Sequence, residues 1–64
     1  MTESLEQLRR LKNTVMGAAN RLALLGRSGE LPPEADRELR MISGELADVA
    51  RRLERMLTGL GEKN

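Results

Sequence analysis

Residues 33–58, PEADRELRMISGELADVARRLERMLT, hold the longest unbroken helical signal in the chain. Leu39, Ile42, Leu46, Val49, Leu53, Met56 and, just beyond, Leu60 recur at alternating steps of three and four. That spacing places all seven on one stripe of an α-helix, the a and d positions of a heptad repeat. Pro33 suits the first helical turn, where its missing N–H has no intrahelical partner to lose. Glu34 and Asp36 follow it and favour the positive end of the helix dipole. The spacing predicts a helix over about 33–58, ending near Thr58 or Gly59, with 59–64 as a frayed tail.

The same rhythm runs through the first third of the chain. Leu8, Leu11, Val15, Ala18, Leu22 and Leu25 repeat the three-four spacing. Thr2 is a good N-cap, and Ser4 with Gln7 matches a capping box. A first helix over about 3–25 is predicted, stopping at Gly26 in a left-handed C-cap conformation. Residues 26–32, Gly-Arg-Ser-Gly-Glu-Leu-Pro, form the connection. So short a link returns the second helix antiparallel. The register then sets Leu25 by Ala35, Leu22 by Leu39, Ala18 by Ile42, Val15 by Leu46, Leu11 by Val49 and Leu8 by Leu53. Every layer is apolar, and on the flank Arg21 falls beside Glu38 and Gln7 beside Arg52. The expected fold is all-α, one domain over 1–64: an antiparallel, coiled-coil-like two-helix hairpin.

A chain of 64 residues hides only about 60% of its unfolded surface, so domains of this size commonly need a disulfide, a metal or a partner. Cysteine and histidine are both absent, which removes disulfides, thiolate chemistry and nearly every transition-metal site. A partner chain is left. Aromatic residues are absent too, so no side chain offers a stacking platform for bases. The 11 basic and 10 acidic groups nearly cancel, and no strong field draws the chain to nucleic acid or membrane. No apolar run is long enough to span a bilayer, and the acidic start lacks the pattern of a secretory signal. A cytoplasmic location is expected.

The flanks of the expected seam differ. Gln7, Thr14, Arg21, Glu38, Glu45 and Arg52 make one flank polar. The other carries Leu5, Met16, Ala19 and Ala23 from the first helix and Ser43, Ala47, Ala50 and Leu57 from the second. These eight are the expected oligomer interface, through which two hairpins would form a four-helix bundle as a homodimer, or one hairpin would receive a helical protein partner. Arg9, Arg10, Lys12, Arg51, Arg52 and Arg55 gather where the termini meet, opposed by Glu3, Glu6 and Glu54.

Catalytic patterns are missing. Without His or Cys no Ser-His or Cys-His nucleophile can be assembled. Glu34 with Glu38 is an exposed pair with nothing to raise a pKa, and Gly26-Arg27-Ser28-Gly29 lacks the P-loop lysine and strand. No enzyme activity, cofactor or metal is expected. On the back of the first helix Arg10, Asn13, Gly17, Asn20 and Leu24 form a weakly polar strip. In length and paired heptad helices the chain resembles the Rop family of plasmid RNA-binding hairpin dimers, which implies RNA contact along this strip. Ser43-Gly44-Glu45-Leu46-Ala47 also resembles the Ser-Gln-Glu-Leu-Asp motif of small sporulation phosphatases, with Gly44 and Ala47 replacing two of its polar residues. The leading expectation is a protein–protein interaction module, a small adaptor, co-chaperone or antagonist acting through helix faces. An RNA-binding regulator is the alternative.

Overall fold

A computed structural model of the chain describes residues 2–61. Two helices account for nearly all of them, α1 (Thr2–Arg27) and α2 (Pro33–Gly61), and they pack on each other as a hairpin. Both helices outrun their expected bounds. Ser4 lies inside the first turn of α1 instead of capping it, and Gly59, Leu60 and Gly61 continue α2 where a tail was expected. Residues 62–64 of that tail lie outside the described residues.

The turn uses its glycines in an unexpected way. Gly26 is helical and buried, and the left-handed residue is Gly29, at φ 79°. Ser28 ends α1: its backbone N–H and its hydroxyl both donate to the Leu25 carbonyl, at 3.1 and 2.8 Å. The Glu30 N–H in turn donates to the Ser28 hydroxyl oxygen at 3.2 Å. At the far side the Asp36 N–H donates to the Pro32 carbonyl at 3.0 Å, closing the first turn of α2 one residue before Pro33. Gly26 faces the start of α2: a Cβ at this position would stand 3.4 Å from the Asp36 carbonyl oxygen and 3.7 Å from the Leu39 Cβ, in ordinary van der Waals contact.

The seam itself is the principal correction to the sequence reading. The buried apolar residues among those described are Ala19, Ala50 and Leu57, at 2%, 0% and 5% exposure. The Ser43 hydroxyl donates across the seam to the Ala19 carbonyl at 2.8 Å. Leu5, Lys12, Ala19 and Gly26 mark the inner edge of α1 at seven-residue spacing, and Asp36, Ser43, Ala50 and Leu57 mark that of α2. Ala18 opposite Ile42 has become Ala19 opposite Ser43. The axial register is thus close to the expected one, but each helix is turned about 80° from the expected orientation. Leu11, Leu25, Val49, Met56 and Leu60, all expected inside, are 41–57% exposed. Small side chains explain the choice. They leave the helix surfaces free to pack closely where Ala19, Ser43 and Ala50 meet, and let the Ser43 hydroxyl reach the Ala19 carbonyl.

A candidate association face

In an antiparallel pair, stripes displaced in the same rotational sense from each seam fall on the same side of the hairpin. The leucine stripes of α1 and α2 are both displaced that way, by about 80°. They therefore merge into one continuous apolar face. Its inner rows, Leu8, Val15 and Leu22 from α1 and Leu39, Leu46 and Leu53 from α2, are half-buried against the seam. Its outer rows, Leu11, Ala18 and Leu25 from α1 and Val49, Met56 and Leu60 from α2, stand exposed. Val49, Arg52, Leu53 and Met56 line a shallow groove along the α2 side. Isolated exposed leucines are ordinary on a protein surface; here the exposed apolar residues are contiguous along both helices.

The opposite side is closed. Lys12, half-buried near the seam, reaches Glu54 at 2.8 Å, and Arg40 lays its aliphatic stem beside Gly26. Met16, Ala23 and Ala47 fill the space between these polar groups and are themselves half-buried. The Lys12 ammonium, first by its hydrogen bond and then by its charge, holds the Glu54 carboxyl below its ordinary value of 4.5, with Arg9 assisting. A depressed carboxyl pKa favours the folded state at neutral pH, and that contribution is lost as pH falls below about 4.5 toward the lowered value. Glu54→Gln should therefore flatten part of the fall of Tm with acidification between pH 5 and 3. A melting series against pH on the two chains measures it, and an unchanged slope would remove this pair from the acid response.

These positions reassign the eight residues expected to bind a second hairpin. Ala19, Ala50 and Leu57 are buried within one chain, and the Ser43 hydroxyl is committed to Ala19. They are seam residues, not a free interface. Leu5, Met16, Ala23 and Ala47 are half-buried on or beside the same seam. The strip on the back of α1 is accessible: Arg10, Asn13, Asn20 and Leu24 are exposed, and nothing stands within 4 Å of where a Gly17 Cβ would lie. Arg10 is its one cation. The basic cluster is divided by acids, since Lys12 pairs with Glu54 and Arg51 with Asp48. Within the phosphatase-like stretch the Ser43 hydroxyl is turned into the seam while Glu45 is exposed.

Size was the misleading signal. Ranking apolar positions by bulk selects the leucine stripe, whereas the inner stripe holds small residues at Ala19, Gly26, Ser43 and Ala50, with Leu5, Lys12, Asp36 and Leu57 at its other positions. Among the described residues no cluster of carboxylates could hold a metal ion, and no helix is long and apolar enough to cross a membrane. Comparisons with protein-family models, curated proteins and solved structures found no match.

Proposed function

We propose that the chain is a non-enzymatic protein–protein interaction module that docks through its leucine face and works as an oligomer, in its simplest form a dimer of hairpins making a four-helix bundle. The carrying observation is the outer rows of that face, with Leu11, Leu25, Val49, Met56 and Leu60 at 41–57% exposure while only two alanines and one leucine are buried among the described residues. A hairpin with so little interior has most of its apolar stabilisation still to gain, at about 25 cal/mol for each Å² removed from water. Its shape agrees. The radius of gyration is 14.6 Å, against about 11 Å for a globular domain of this length.

Val49→Glu tests the reading, because it puts a charge in the outer row of the face, near mid-length of α2, without touching the seam. The parent chain should sediment as a dimer or larger at micromolar concentration, and the variant as a monomer with reduced helicity. A folded, thermally stable parent monomer that Val49→Glu leaves unchanged would overturn the proposal. RNA contact along Arg10, Asn13, Gly17, Asn20 and Leu24 would show differently, as a complex with structured RNA that weakens steeply with salt and is lost in Arg10→Ala. Balanced charge and a single cation on that strip favour the protein partner.

A further inference from the structure

We infer that the occupant of the leucine face is a second copy of this chain, stacked with both turns at the same end, so that α1 of each protomer lies over α2 of its partner. The inference rests on the docking reading above, commits it to the second copy as occupant and adds the orientation.

Area is the first reason. The chain exposes 5170 Å², whereas a compact monomer of 7.1 kDa exposes about 4,100 Å². The excess of about 1,000 Å² is similar to the roughly 800 Å² that each partner contributes to a standard interface. The hairpin measures 47 Å by 15 Å across its broad side, a footprint of about 700 Å², so a second copy covers the face without overhang. A single docking helix, about 10–12 Å wide, would leave part of it wet.

Charge along the two rims gives the orientation. Gln7, Thr14 and Arg21 border the leucine face on α1, and Arg52, Glu45 and Glu38 border it on α2; all six are exposed. With Ala19 level with Ser43, these residues lie at matching heights to within about one turn. A two-fold axis along the hairpin preserves height and sets the α1 rim of one protomer against the α2 rim of the other. Arg21 then meets Glu38, Thr14 meets Glu45 and Gln7 meets Arg52, each contact occurring twice, with no like charges opposed. A two-fold axis across the hairpin instead stacks α1 on α1 and α2 on α2. Full overlap would then set Glu38 near the partner's Arg52, an attractive contact, but bring Glu45 close to its own copy and leave Arg21 facing Gln7, so the Glu45 repulsion is what discriminates. Rim pairs add little affinity, but like-charge contacts discriminate between registers.

The chain has no cysteine, so one introduced thiol carries a single spin label. With Glu30→Cys labelled in the turn, dipolar spectroscopy should give a distance below about 30 Å, as hairpins about 10 Å apart with turns together require. Val49→Glu in the labelled chain should abolish the coupling. Arg21→Glu should raise the dimer dissociation constant about 3- to 10-fold, and adding Glu38→Arg should restore it, a rescue that general loss of folding cannot mimic. A label distance near the 47 Å length of the hairpin, still abolished by Val49→Glu, would overturn the orientation and leave the docking reading standing. A parent chain that shows no coupling and sediments as a monomer would overturn the second copy as occupant. Coupling that Val49→Glu leaves intact would overturn both.

Discussion

Ala50→Leu should destabilise the hairpin by about 1–3 kcal/mol, while Val49→Leu, one residue away, should be nearly neutral. Both variants enlarge an apolar side chain on the same turn of α2. Ala50 is 0% exposed and packed against α1, so the added methylenes must push the helices apart or adopt poor rotamers. Val49 lies off the seam, 41% exposed in the single hairpin, so one added methylene meets no part of the other helix and makes a small apolar swap on the leucine face. In so short a chain each kcal/mol moves Tm by roughly 4–8 °C, so the loss is readable in a simple thermal melt. Ala19→Leu, at 2% exposure, should repeat the effect from the other helix. The opposite order, with Ala50→Leu harmless and Val49→Leu costly, would show that the leucine stripe is the internal seam after all.

That contrast also shows how much of the structure was legible in the residues. Two helices, their antiparallel return and the axial register follow from apolar periodicity and from the Gly-Ser-Pro punctuation of residues 26–33. Rotation about each helix axis does not follow so directly. The apolar arc of α2 is wide enough to include Leu46, Val49 and Ala50, and any of several lines through it could face α1. Burying leucines removes more area from water, which favours the stripe of large residues. Burying alanines lets the two helices pack closely at mid-length and allows the Ser43–Ala19 hydrogen bond. A single chain can satisfy only one of these demands on its seam. Here the small residues take the centre of the seam, and the leucine stripe lies beside it with its inner rows half-buried and its outer rows exposed. Gly26 carried no clear signal, because a glycine one residue from the end of α1 reads equally well as its C-cap. Lys12 was harder to place, because its inner position makes sense only once Glu54 is seen 2.8 Å away.

The melting temperature of the parent chain should rise with protein concentration, by about 5 °C for each tenfold increase. Folding coupled to dimerisation follows mass action, and the unfolding entropy of two 64-residue chains sets the size of the shift. The cause lies in what the single hairpin leaves undone: its buried apolar groups are two alanines and a leucine among the described residues, while Leu22 and Leu46 are only half-buried. If the proposed partner completes its burial, Leu46→Ala should cost about 2–5 kcal/mol, as truncation of a fully buried leucine does. Leu24→Ala, on the back of α1 at 63% exposure, should cost little by the same measurement. Val49→Glu should lower Tm and flatten its concentration dependence, because a chain that cannot associate melts alone. A cooperative parent transition at the same temperature at 1 and 100 µM would show that the hairpin is stable by itself, and the leucine face would then lose its role in holding the fold.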